Sequence, residues 1–408
     1  MTSIRLRITG KRPSSTTGRP SPETGRPAGG WAFTGVAVMS IGGPLALAAL
    51  VAPGVLADAS GSAGIVMVAA VVVFAAPLAI WLRYARHVPS AGGLYAFTEA
   101  AAGRRVALVQ AGLWIISYAL YLVYTTAQIV YEVLPVVLPG LRPIQPLLEI
   151  AIPVALAGVM IAGRRATFIV AGVLAVGQLA IAAALGGVTV ANLGAPAASF
   201  GASAPAGSLA SATAQTALLY ACASLPLFLG GEVARPAVTM RRGLITAYVV
   251  TAAVVIAAVF PLAAAPMFAG FPIPGVSVAN RFAGHDFAVA VGIGVAASIA
   301  GVILAEYIAL GRLLHAMTAR SLRSINIVIG AIMVAAAPLM LINPVRLYDD
   351  LVQPSIVALL LSNLIVFAVY PRFAARHSQG KLGAWALTIV AAAFTVYGLW
   401  TTISQVSS

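Results

Sequence analysis

The chain has 408 residues, of which 61% are hydrophobic and 8% charged. A soluble chain carries about a quarter charged residues, so this composition excludes an ordinary water-soluble domain and points to a bilayer. The net charge of +14 would suit a nucleic acid, but its placement argues otherwise, and the single cysteine, Cys222, excludes an intrachain disulfide.

Residues 1–30 are rich in Ser, Thr, Pro, Gly and Arg and poor in apolar residues, which predicts a disordered cytoplasmic tail. Crossing the hydrocarbon takes about 20 apolar residues. On that measure the sequence predicts eleven spans: 31–53, 63–83, 106–134, 146–162, 166–191, 214–234, 243–267, 286–311, 325–342, 352–371 and 382–403. Spans 3 and 8 run long enough to need tilting. Ala57-Asp58-Ala59 resembles a signal-peptidase site. The span before it is too long for a signal h-region and follows a long polar tail, so no cleavage is expected. Only two acids, Glu232 and Glu306, are read as lying within spans.

The basic residues test this arrangement. With the N-terminus inside, all of the 24 except Arg142, Arg281 and Arg346 fall on cytoplasmic segments. That bias follows the positive-inside rule, places the C-terminus outside and accounts for the charge without nucleic acid. Connections are short except 192–213 and 268–285 on the outer face, both read as loops. Twenty-two Arg against two Lys, with abundant Ala, suggests a GC-rich bacterial source and hence a bacterial plasma membrane.

Two spans carry helix-breaking residues: Ser40-Ile41-Gly42-Gly43-Pro44 in the first and Pro226 to Glu232 in the sixth. Gly and Pro interrupt helical bonding, and in lipid the freed N–H and C=O groups need another partner. Paired interruptions in two halves are the best sequence pointer to a transporter's binding site. The predicted organisation is a first repeat at 31–191, a second at 214–371, and an extra helix at 382–403. Five spans is an odd number, so the repeats are inverted.

Four segments resemble the amino acid–polyamine–organocation transporter superfamily. They are Ile41-Gly42-Gly43-Pro44-Leu45, Pro89-Ser90-Ala91-Gly92-Gly93-Leu94-Tyr95-Ala96-Phe97, Phe228-Leu229-Gly230-Gly231-Glu232, and Gly311-Arg312-Leu313-Leu314-His315-Ala316-Met317. The resemblance implies an all-α, five-plus-five inverted-repeat (LeuT-like) fold with discontinuous helices 1 and 6. It also implies secondary transport of an amino acid or related amine. It places a substrate carboxylate near Gly42 and Gly43, flanked by Ser40 and Ile41, and an amino group near the carbonyls from Leu225 to Phe228, with Gly230 and Gly231 alongside. Pro44 stands where the family has a second Gly and offers no N–H, so one carboxylate donor is missing.

Trp114 and Tyr118 are candidate cavity residues. With Tyr121 and Tyr124 they share one face of span 3, although core packing explains the same spacing. Phe228 and Tyr95 are candidate gates. Glu306 and Glu232 are candidate proton-coupling residues, because a charge inside a bilayer is functional by default. Gln178 falls where proton-coupled relatives carry a lysine and cannot titrate, so Glu306, placed between helices 1, 5 and 8, is expected to take that role. The structural alternatives are a Glu232–Arg235 pair and a Glu306–Arg312 or Glu306–His315 pair. A sodium site using Ser298 is the second choice to the proton.

The four histidines lie near loops without metal-ligand spacing. No His-Glu-x-x-His, Gly-x-Ser-x-Gly or phosphate loop occurs. The expectation is therefore a non-enzyme without cofactor or metal: a proton-coupled transporter of a small amino acid or amine. The alternatives are a proton-independent exchanger and a transport-deficient sensor or structural subunit.

Overall fold

The computed structural model describes residues 28–194, 197–263, 268 and 270–406, so the tail expected at 1–30 lies almost wholly outside the described residues. Among the described residues, eleven helices are long and apolar enough to cross a membrane. They are α1 (Gly30–Val55), α2 (Ala63–His87), α3 (Arg104–Val137), α4 (Pro139–Ile161), α5 (Arg164–Leu193), α6 (Ala206–Leu229), α7 (Pro236–Val259), α8 (His285–Thr318), α9 (Leu322–Met340), α10 (Pro344–Arg376) and α11 (Lys381–Ser404). The count matches the expectation. Together with the fold reported below, it makes this a multi-pass membrane protein. Exposed side chains such as Val72, Val173, Val176 and Ile389 cover the outside with apolar surface, which hydrocarbon tolerates and water does not.

Helices α3 and α8 each have 34 residues. At 1.5 Å per residue they are about 50 Å long and must tilt within a core of about 30 Å. Each is preceded by a short helix, Gly93–Ala102 before α3 and Pro274–Ala283 before α8. Each is entered through a glycine in nearly the same conformation: Gly103 at φ 87°, ψ 170° and Gly284 at φ 91°, ψ 171°. This repeated helix–glycine–long helix unit is the clearest internal correspondence between the halves.

Two segments differ from their reading as loops. The 268–285 stretch contains the helix Pro274–Ala283, started by Pro274 at a position that needs no N–H. Within 192–213, α6 begins at Ala206, earlier than expected. The approach to α6 is fixed by Ser62, whose hydroxyl accepts from the backbone N–H groups of Ser203 (2.9 Å) and Ala204 (3.1 Å).

The break in α1 is as sharp as Gly-Gly-Pro predicts. The first half ends at Ser40, Gly42 and Gly43 both take φ +64°, and the second half restarts at Pro44. A Cβ on Gly43 would lie 2.5 Å from the Ser298 hydroxyl, and one on Gly42 would lie 2.7 Å from the Leu219 carbonyl oxygen. Left-handed backbone and lack of space both demand glycine here. Gly43→Ala is therefore expected to cost at least about 2 kcal/mol. Gly112→Ala, in open space on helical backbone, should be neutral or slightly stabilising. Thermal unfolding of the purified variants in detergent checks the contrast.

Candidate ligand-binding cavity

The α1 break leaves backbone groups to satisfy, and the fold satisfies most of them internally. Gly42 N–H donates to Ser40 O (2.8 Å) and Gly43 N–H to Met39 O (3.1 Å). Ala46 N–H, at the start of the second half-helix, donates to Ser298 Oγ of α8 (3.3 Å), and that hydroxyl donates to Gln178 Oε1 of α5. Helices α1, α5 and α8 thus meet at Gln178, as its sequence position suggests. Ser298 fills with a side chain the cap that an anion could occupy.

In α6 the regular helix stops at Leu218, turns at Leu219–Tyr220 and continues as a 3₁₀ segment over Ala221–Leu229. Turns follow at 230–232, so the irregular backbone includes the expected stretch from Pro226 to Glu232 but starts before it. The interruption begins at Leu219, and the carbonyl that meets the α1 break is that of Leu219, packed against Gly42. Leu225 and Phe228 are fully buried and belong to the packing beneath the break. The two openings of the backbone therefore touch each other.

Beside that contact is a cavity of about 370 Å³. Gly42, Leu219, Ala221 and Cys222 wall it from the breaks. Tyr118, Tyr121 and Tyr124 line it from α3, Val302 from α8, Tyr348 and Ser355 from α10, and Thr401 and Thr402 from α11. The tyrosines form a chain, with ring centroids 6.5 Å apart for Tyr118–Tyr121, 5.2 Å for Tyr121–Tyr124 and 5.2 Å for Tyr124–Tyr348. The Tyr118 hydroxyl contacts Cys222 Sγ at 3.9 Å.

Of the residues expected to bind substrate, Gly42 and Tyr118 line this cavity. Ser40, Ile41, Gly43 and Leu225 are buried and do not line it. Trp114 lies one layer deeper, its ring tilted against those of Tyr118 (4.1 Å) and Phe228 (4.6 Å). Gly230 and Gly231 face Ser90 and Ala91 instead, where any Cβ would crowd that backbone. Sequence reasoning missed Cys222, Ser355, Tyr348, Thr401 and Thr402. Nothing short of the fold brings α10 and α11 to this wall.

Glu306 is fully buried, and neither carboxylate oxygen has a hydrogen-bond partner among the described residues. It lies within electrostatic range of Tyr118, Tyr121 and Cys222. This corrects its expected position near Gln178. Eight residues separate it from Ser298, about 12 Å along α8, and it stands on the cavity side between α3 and α6. It pairs with neither Arg312 nor His315: Arg312 is bound to Glu232, and His315 Nδ1 bonds to Arg320 O (2.6 Å). The sequence count of acids within spans also falls short. Glu149 of α4 is fully buried with both oxygens unpartnered among the described residues, and Glu132 lies on α3.

The end of the bundle where the arginines gather is closed in layers. Phe228 packs its ring against Gly93, where a Cβ would fall 2.6 Å from the ring. Tyr95 donates to Glu99 Oε1 (3.2 Å), and partial burial together with the Glu99 charge pushes its phenol up from the ordinary value. Below them Glu232 forms an ion pair with Arg312, not with Arg235. Arg312 Nη2 donates to Oε2 at 3.1 Å, and Nε lies 2.7 Å from Oε1, close but poorly directed. The two side chains are 6% and 3% exposed. Ala28 N–H donates to Glu232 O (2.8 Å), laying the start of the described chain across this layer.

No family model matches the chain, and no curated protein does. Among solved structures it superposes on MhsT in complex with L-phenylalanine, with a TM-score of 0.64 over 90% of this chain and 98% of that one, at 13% identity. The chain has the LeuT fold. At this identity the likeness is one of architecture, and the cavity chemistry must be read from these residues.

A buried ion pair is costly to break on one side only, about 3–5 kcal/mol. Glu232→Gln and Arg312→Gln should each destabilise strongly, while the double variant should recover at least about 1 kcal/mol relative to their sum. Thermal unfolding of all three variants, treated as a double-mutant cycle, measures that recovery.

Proposed function

We propose that this chain is a secondary transporter that moves a small amino acid or related amine across a bacterial plasma membrane by alternating access, driven by proton symport. The arginine-rich end faces the cytoplasm. The observation that carries the reading is the contact between the two helix breaks, Gly42 against the Leu219 carbonyl, at the wall of a tyrosine-lined cavity that has the unpartnered carboxyl of Glu306 behind it. A cavity between discontinuous helices is where this kind of fold binds its solute.

The lining favours the ammonium end of a solute over a carboxylate end. The N–H groups of Gly42, Gly43 and Ala46 are already bonded, and Pro44 has none. Among the described residues no Arg, Lys or His lines the cavity. The Leu219 carbonyl and the tyrosine ring faces are suited to a cation.

A carboxyl buried without a partner requires a proton or a solute cation to share its site, since an isolated charge in low dielectric is expensive. Glu306 is therefore the residue through which proton and solute are linked. Ser298, the oxygen proposed for a sodium site, is committed to Gln178 and Ala46, which supports the proton. Each net positive charge carried inward gains about 2.3 kcal/mol per 100 mV of potential.

Proteoliposome uptake tests this reading with a panel of amino acids and amines. Wild type should accumulate a solute when the lumen is alkaline and negative, and Glu306→Gln should lose the pH-driven part. Unchanged accumulation in that variant overturns the coupling role. Counterflow that persists without a proton gradient while net uptake fails marks an exchanger. Binding without movement marks a sensor.

A further inference from the structure

A second polar cavity, of about 420 Å³, opens at the arginine-rich end between the last turn of α2 and the α10–α11 turn. Arg83, Arg86, His87, His377, Ser378 and Gln379 line it, and among the described residues no acid does. The two imidazoles lie 4.5 Å apart. Each is oriented by its own helix: His87 Nδ1 bonds to Arg83 O (3.0 Å) and His377 Nδ1 to Phe373 O (2.9 Å). A carbonyl can only accept, so Nδ1 carries a proton in both rings, and Nε2 is the atom each ring offers to a ligand: an acceptor in the neutral ring, and a donor to an anion only when the ring holds a second proton.

The guanidinium of Arg83 is held as well. Its Nη1 donates to the Tyr370 hydroxyl (3.1 Å), which donates to Gln379 Oε1 (2.8 Å). The turn that closes the cavity places Ser378 at φ +53°, a conformation that costs a non-glycine residue about 1 kcal/mol or more. Gln379 N–H to Ala374 O (3.1 Å) keeps it there. Two arginines and two oriented imidazoles without an acid in the lining form a basic concavity, and guanidinium donors suit phosphate oxygens.

The next residues add an apolar side. Leu382 is 87% exposed and Trp385 56%, and Ile389 continues the same face of α11 one turn further on. The cavity therefore lies at the head of an exposed apolar stripe, with a tryptophan where a membrane interface favours one. We propose that this cavity binds the phosphodiester headgroup of an anionic phospholipid, the phosphate between Arg86 and the two histidines and the acyl chains along Leu382, Trp385 and Ile389. Basic pockets between helix ends on the cytoplasmic side suit such headgroups.

Native mass spectrometry of the full chain tests this. The probes are phosphatidylglycerol, phosphatidylcholine and inorganic phosphate, with wild type, the exposed-surface variant Arg86→Gln/His377→Gln, and the apolar-side variant Leu382→Gln/Trp385→Gln. Phosphatidylglycerol should be retained on wild type in preference to phosphatidylcholine. Both variants should bind it about tenfold more weakly, with unfolding temperatures in lipid-free detergent unchanged. Equal retention by Arg86→Gln/His377→Gln would overturn the site. Inorganic phosphate displacing the lipid at equal concentration, with Leu382→Gln/Trp385→Gln binding as wild type, would overturn the lipid as its occupant. Should Arg86→Gln/His377→Gln unfold earlier, Arg86→Gln alone decides by the same measure.

Discussion

A helix opened inside hydrocarbon must find partners for the backbone groups it releases, because no water is there to take them. Everything central in this molecule follows from how that requirement is met at Gly42-Gly43-Pro44. Two glycines at φ +64° turn the chain, Ser298 caps the second half-helix, and Gln178 holds Ser298. On the other side Gly42 lies against the Leu219 carbonyl, where α6 is itself interrupted. The polar seam between the two breaks supplies the acceptor, and the surrounding tyrosines and Glu306 supply the rest of the site. Gly42 and Gly43 leave no room for a side chain, which is why the seam can close on itself and still border a cavity.

The two ends of the bundle differ in kind. Toward the arginine-rich end the cavity floor is a stack of Tyr118, Trp114 and Phe228 on Gly93, and then the Glu232–Arg312 pair under Ala28. At the other end the walls are side chains with retained surface, among them Tyr121, Cys222, Tyr348 and Thr402. Under the proposed alternating access this is the arrangement closed to the cytoplasm. Opening the inner end would require Phe228 to leave Gly93 and the ion pair to separate or hydrate. Neither charge of the pair can be left alone in low dielectric, so those steps are expected to move together.

Much of the architecture was legible in the sequence. The eleven spans, the α1 break and the shared face of Tyr118, Tyr121 and Tyr124 are written in local spacing and composition. The later part of the α6 break was legible too, because Pro226, Gly230 and Gly231 are residues that usually break helices. Pro226 sits inside a 3₁₀ segment and the two glycines lie in the turn that follows, packed on Ser90 and Ala91, but the break begins at the turn of Leu219 and Tyr220, which carry no such signal. The helix Pro274–Ala283 was hidden by its Pro and Gly content. The Glu232–Arg312 pair joins residues 80 positions apart, and Cys222, Tyr348 and Thr401 converge only in three dimensions. Spacing along a chain cannot report such contacts.

The lone cysteine allows a direct test, since Cys222 sits at the seam between the breaks and no other thiol interferes. The measurement is its modification by a charged, membrane-impermeant thiosulfonate applied separately to each face of oriented proteoliposomes. The account predicts modification from the face opposite the arginine-rich end, slowed by a transported solute. It also predicts that access from the arginine-rich face appears when Glu232 and Arg312 are both replaced by Gln. A wild-type Cys222 that is unreactive from both faces, or reactive only from the arginine-rich face, would contradict it.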